Sequence, residues 1–142
     1  MSHTLKLNIE LGVVVLRAKQ SMNFEEIRGV FAEMVRLPGF KEGLCLVADF
    51  RGSGTAPTGE DIRNLAVFAE RTDPAWGDTK WCIVASSDTM YGLSRMFSSL
   101  TDRLQVDTQV FRDIEAANGW LGLAVDVEGI LAQTPDEAPT IG

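Results

Sequence analysis

The chain has 142 residues, 45% of them hydrophobic, with 20 Asp and Glu against 13 Lys and Arg for a net charge of −7. That length suits one domain with its own core, and an acidic surface without a basic cluster argues against nucleic acid as a partner. No apolar run approaches the roughly 20 residues of a membrane span and the N-terminal MSHTLKLNIE has no signal-type apolar region, so the expected location is the cytoplasm.

Leu5, Leu7, Ile9 and Leu11 alternate with Lys6, Asn8 and Glu10, the period of two that marks a strand with one wet face. This predicts an edge strand. Gly12 permits a tight turn into Val13 to Ala18, a run apolar on both faces, so the two runs predict an antiparallel hairpin whose second strand enters the core. Asn23 followed by Glu26 is a helix-capping signal, and Phe24, Ile27, Phe31, Met34 and Val35 lie on one stripe of a helix ended by Pro38-Gly39. Leu44 to Phe50 is the apolar run of a strand buried on both faces of a parallel sheet. A turn-rich loop, RGSGTAPT, then leads to a helix that Thr58 caps with Asp61. Its inner stripe is Ile62, Leu65, Ala66 and Ala69, and Asp73-Pro74 is expected to stop it.

Thr79 to Ser86 is another buried-strand run, and Ser86, Ser87 and Asp88 are overlapping caps for a helix reaching about Leu100. Met90, Leu93, Met96, Phe97 and Leu100 form its apolar stripe, which either packs into the core or walls a cavity for a small apolar ligand or lipid. Arg95 stands beside that stripe, to pair with Asp102, Asp88 or a neighbouring carboxylate, or to hold an anionic head group at a cavity mouth. Trp76, in the loop DPAWG, either plugs a core edge or is an exposed anchor for a partner. Thr108 to Phe111 reads as the far edge strand, and Asp113 caps a last helix with Ile114, Ala117 and Leu121 inward. The domain is expected to span 1–122, followed by an acidic, Pro-bearing tail over 123–142 in which Asp126 offers a cap for one helical turn through Leu131. The succession is ββαβαβαβα, an α/β fold with a mixed, mostly parallel five-stranded sheet and about four helices. Right-handed crossovers make strands two to five parallel.

Chemistry is sparse. The glycine-rich stretch from Gly52 to Gly59 invites a phosphate-loop reading, but Glu60 and Asp61 stand where Lys and Ser/Thr would be needed. The single histidine, His3, lies at the N-terminal fringe, so no Ser or Cys relay has a base. Cys45 and Cys82 lack metal-ligand spacing and read as small core residues. No enzyme, cofactor or metal is expected. The candidate site is the strand-end loop, with Asp49 and Arg51 as its charges and Ser53, Thr55 and Thr58 as its hydroxyls.

The segment endings VADFRG, IVASSD, GLSRMF and VFRDIEAANGWLG, in this order of elements, resemble the STAS-like (SpoIIAA-like) proteins from about Ile9 to Gly122. This family includes anti-sigma-factor antagonists and a bacterial branch of small single-domain proteins, and the chain is more similar to the latter. The resemblance implies a superhelix of β–α turns with strands in sequence order, a fold shared with SEC14-type lipid-binding domains. It also implies a regulatory protein-interaction module, working on a protein partner or on itself as a homodimer. In the antagonists a Ser beside an Asp is phosphorylated where the strand meets the second helix. Here that place runs from Asp49 to Thr58 without the Asp-Ser pair, leaving Ser53, Thr55 and Thr58 as substitutes.

Overall fold

The computed structural model describes residues 3–53 and 57–132. Five strands, β1 (His3–Asn8), β2 (Val13–Ala18), β3 (Cys45–Asp49), β4 (Lys80–Val84) and β5 (Asp107–Phe111), lie in one sheet in chain order. β1 runs antiparallel to β2, and β2 to β5 are parallel. The helices are α1 (Phe24–Met34), α2 (Gly59–Trp76), α3 (Asp88–Leu100), α4 (Ile114–Leu121) and α5 (Val127–Ala132).

The strand order decides where the helices go. Right-handed crossovers that always advance in the same direction return every connecting helix to one face of the sheet. Accordingly Ile27, Val30 and Met34 of α1, Ile62, Leu65 and Ala69 of α2, and Met90 and Phe97 of α3 form one cluster with Val14, Leu16, Leu46, Ala48 and Ile83. The alternate residues of the same strands, Val13, Val15, Val47, Cys82 and Val84, face the other way. They are covered by Ile114, Ala117 and Leu121 of α4 and by Val127 and Ile130 of α5. The folded unit therefore continues past Gly122: the helical turn expected after Asp126 forms, and two of its apolar residues, Val127 and Ile130, are wholly buried. Residues 133–142 of the expected tail lie outside the described residues.

The local signals act as the chain chemistry requires. Asn23 with Glu26, and Thr58 with Asp61, each form a reciprocal capping box, Ser87 caps α3, and Asp113 caps α4. The hairpin departs from its pattern. β1 stops at Asn8, because the Asn8 carboxamide accepts the Leu11 N–H at 2.9 Å and the Asn8 carbonyl accepts the Gly12 N–H at 3.0 Å, with Gly12 at φ 71°. Ile9, counted as a strand residue by alternation, is instead 37% exposed in the turn.

Helix α2 does not stop at Asp73-Pro74. It runs on to Trp76, with Pro74 inside its last turn, and ends at Gly77, whose φ of 74° only glycine adopts easily. The reason is Trp76, which is buried edge-on against Phe40 at 5.0 Å and Trp81 at 5.1 Å between ring centroids. Burying an aromatic of roughly 150–250 Å² contributes about 4–6 kcal/mol. That exceeds the roughly 3 kcal/mol that a helix-interior proline costs. Trp76 is thus the core plug and not a partner anchor.

Because Ile130 is fully buried in the second cluster, Ile130→Ala should lower unfolding free energy by about 2–5 kcal/mol in urea denaturation. A change within about 0.5 kcal/mol, the range of a solvated surface position, would contradict the docking of α5.

Candidate functional site

The carboxyl ends of β2 and β3 bring two residues into register, Arg17 and Asp49. Both lie on the side of the sheet that α4 and α5 cover, because they alternate with Val13, Val15 and Val47. Asp49 is 1% exposed, and a carboxylate so buried needs its lone pairs satisfied. They are. One oxygen accepts the Arg51 backbone N–H at 3.1 Å and Arg51 Nε at 2.9 Å; the other accepts Arg17 Nε at 2.9 Å and Arg51 Nη2 at 2.8 Å. Arg17 turns its two terminal nitrogens to Glu128 of α5, at 3.0 and 2.6 Å. Arg51 Nη2 lies 3.5 Å from the same carboxylate.

Two guanidiniums and two carboxylates thus close into a neutral network at the root of the candidate loop. Burial alone pushes the Asp49 carboxyl up, but the bonds from Arg51 and Arg17 outweigh it and hold the group below the usual carboxylate range. The Arg17 hydrogen bonds hold Glu128 down as well. Asp49 is therefore ionised and saturated.

From this root the loop turns sharply, with the Ser53 N–H donating to the Phe50 carbonyl at 3.0 Å. Gly52 presses against the end of β2, where an added Cβ would meet the Ala18 carbonyl oxygen at 2.5 Å, so only glycine fits there. Arg51 and Thr58 are exposed and Ser53 is half-buried. Thr58 commits its oxygen to the cap, accepting the Asp61 N–H at 3.0 Å. Thr55 lies outside the described residues.

The apolar stripe of α3 packs inward except at its last residue, Leu100, which is 38% exposed. Met90 and Phe97 are buried, Leu93 and Met96 half-buried, and Phe97 stacks on Trp81 at 6.4 Å. Of the stripe, Met90 and Phe97 line, with Phe50, Ile62, Leu65 and Ile83, a cavity of about 30 Å³ beneath the loop, where small-ligand pockets measure roughly 300–1,000 Å³. Arg95 takes neither expected carboxylate. Asp88 is bound by Arg112 at 2.8 Å, and Arg95 lies over the Tyr91 ring one turn back at 5.9 Å, with Nη1 3.5 Å from the Tyr91 hydroxyl. A surface groove of about 550 Å³ between α3 and β5, lined by Tyr91, Arg95, Ser98, Asp102 and Gln109 among others, is polar and open.

Among the described residues no group of three or more His, Cys, Asp or Glu is placed to hold a metal ion. Cys82 is buried and Cys45 half-buried. Burial pushes the Cys82 thiol up to about 12 and raises Cys45, so neither is a thiolate near neutrality.

No family model matches the chain, and no curated protein matches it. A solved structure does, that of an uncharacterized protein from the DUF3478 family with a SpoIIAA-like fold from Shewanella loihica. It aligns with a TM-score of 0.54 at 11% identity, over 84% of this chain and 91% of that one. This chain has a SpoIIAA-like fold. At that identity the likeness fixes the SpoIIAA-like arrangement of strands and helices and leaves the site to be argued from this chain's own residues. Two of the four network residues escaped the sequence reading. Arg17 carried a signal, being the one charge within the apolar run VVVLRA. Glu128 carried none, because a glutamate in a first helical turn is ordinary.

Asp49→Ala leaves two partly buried guanidiniums without their shared anion and should cost about 3–5 kcal/mol. The folded pKa values of Asp49 and Glu128 lie below their unfolded ones, so the network's contribution is complete above the unfolded carboxylate range of about 4 and is lost as pH falls through the folded values. Urea midpoints measured from pH 7 downward should therefore fall less steeply below pH of about 4 in Asp49→Asn than in the unaltered chain. Parallel curves would remove Asp49 from the acid response.

Proposed function

We propose that this protein is a non-catalytic, cytoplasmic regulatory module that recognises a protein partner, or a second copy of itself, through the loop from Arg51 to Thr58. The observation that carries the reading is the root of that loop: Asp49 spends both oxygens on four donors, so the loop is anchored by a rigid, charge-neutral joint. A carboxylate so committed supports recognition better than acid–base work, which needs a group free to take or give a proton. Exposed Arg51 and Thr58, with half-buried Ser53, give the loop hydrogen-bonding groups on a pre-organised base. The SpoIIAA-like fold suits such a role, and its sequential strand order opens no switch-point crevice for a nucleotide. Among the described residues no helix is long and apolar enough to cross a membrane.

A second reading, a carrier of a small apolar ligand or lipid, draws on the apolar lining beneath the loop, where Ile27, Phe31, Ile62, Met90 and Phe97 meet Pro57. Its weakness is size. A cavity of about 30 Å³ accommodates little more than a water, so α1, α2 and α3 would have to part before a lipid chain entered.

Native mass spectrometry of the protein purified from its source separates the two. The expected spectrum shows a partner or dimer mass without a lipid adduct, and Ser53, Thr55 and Thr58 replaced together by Ala should abolish that complex. The triple variant should lose only about 1 kcal/mol of stability, from the Thr58 cap. A retained lipid on the monomer would favour the carrier, and a complex indifferent to the triple variant would move recognition off this loop.

A further inference from the structure

The ion network contains an imbalance that a purely structural joint does not need. Glu128 gives both of its oxygens to Arg17, at 3.0 and 2.6 Å, and touches Arg51 only at the edge, 3.5 Å from Nη2. Arg51 spends Nε and Nη2 on Asp49. Its Nη1 has no hydrogen-bond partner among the described residues. Two guanidinium ends therefore converge on one place, and the two-oxygen carboxylate there accepts two close hydrogen bonds from Arg17 while meeting Arg51 only at 3.5 Å.

The convergence is open to water on one side. The Arg17 and Arg51 side chains are 26% and 33% exposed, whereas Asp49 beneath them is 2% exposed. Asp49 fixes both forks from below, removing the side-chain freedom that two arginines would otherwise lose on binding an anion. Glu128 itself is 53% exposed. Its helix does not depend on it, because Val127 and Ile130 are wholly buried and the Val127 N–H donates to Asn118 Oδ1 at 3.1 Å. The Glu128 side chain can swing into solvent while α5 stays seated. Without it the site holds two positive charges over one negative.

We infer that Arg17 and Arg51 form an oxyanion site at the carboxyl ends of β2 and β3, that Glu128 is its internal occupant, and that a phosphate group from outside the chain displaces Glu128. A phosphate presents more than two oxygens, so it can meet the terminal nitrogens of Arg17 and the guanidinium end of Arg51 together, where the Glu128 carboxylate approaches Arg51 only to 3.5 Å. Glu128 then sets the threshold: only an anion that outcompetes a tethered carboxylate enters. The site shares Arg51 with the loop proposed for recognition, and phosphate binding there needs no partner protein.

The test is an NMR titration with inorganic phosphate at constant ionic strength near neutral pH, read at the Nε–H resonances of Arg17 and Arg51. Glu128→Gln removes the competitor's charge while keeping its shape, and should bind phosphate at least about tenfold more tightly than the unaltered chain. Glu128→Gln combined with Arg51→Ala should lose that gain, and acetate should bind Glu128→Gln more weakly than phosphate does. In the unaltered chain, high phosphate should shift the Glu128 side-chain carboxyl carbon as the ion pair opens, a readout that needs no variant. Equal phosphate binding with and without Glu128, a gain that survives removal of Arg51, or a Glu128 carboxyl that ignores phosphate would each overturn the assignment. Acetate matching phosphate would overturn the choice of ligand.

Discussion

One constraint shapes this molecule: the parallel strands are laid down in chain order, always advancing the same way. Such winding sends all three crossover helices to one face. A sheet whose strands are apolar on both sides then has an uncovered face of valines, Val13, Val15, Val47 and Val84, beside Cys82. Leaving it in water would forfeit roughly 1.5–3 kcal/mol for each side chain. The chain must supply a second layer from beyond its last strand, and it does so with α4 and α5. Residues past Gly122 are for this reason part of the fold's logic.

The same constraint places the polar joint. Where β2 and β3 end, the apolar cover gives way, and the face that carries valines along the strands carries Arg17 and Asp49 at their tips. Asp49 ties three separate segments: β2 through Arg17, its own loop through Arg51, and α5 through the Arg17 bridge to Glu128. The buried member of that joint is expensive to strip of its partners, while the Glu128 end is exposed and weak by comparison. The joint is firm at its base and exchangeable at its rim. That asymmetry makes a rigid loop root and an accessible pair of arginines compatible in one place.

Much of this was legible in the residues. Period-two and buried apolar runs located the strands, and β2 began and ended where its pattern did, at Val13 and Ala18. Asn23, Thr58, Ser87 and Asp113 marked the starts of four helices, because an N-cap is decided by neighbours in sequence. The order of elements, through its resemblance to SpoIIAA-like proteins, carried the strand order. What failed was whatever depended on distant partners. Pro74 read as a stop because the Phe40 and Trp81 rings that bury Trp76 come from elsewhere in the chain. Arg95 was offered Asp88, which Arg112 takes across 24 residues. Asp49 and Arg51 stood in the sequence as strand-end charges of the loop, without Arg17 and Glu128, 111 residues apart, which close around them. No local pattern joins those positions.

The claim that the C-terminal helices are the obligatory second wall is tested most directly by native-state amide hydrogen exchange along the whole chain. The account predicts that Ile130 and Leu131 exchange only in cooperative openings shared with Ala117 and Leu121 of α4, and that Val47 and Cys82 between the two layers are among the slowest amides. Exchange of Ile130 and Leu131 at the rate of an unstructured peptide, with Val47 and Cys82 still protected, would contradict it.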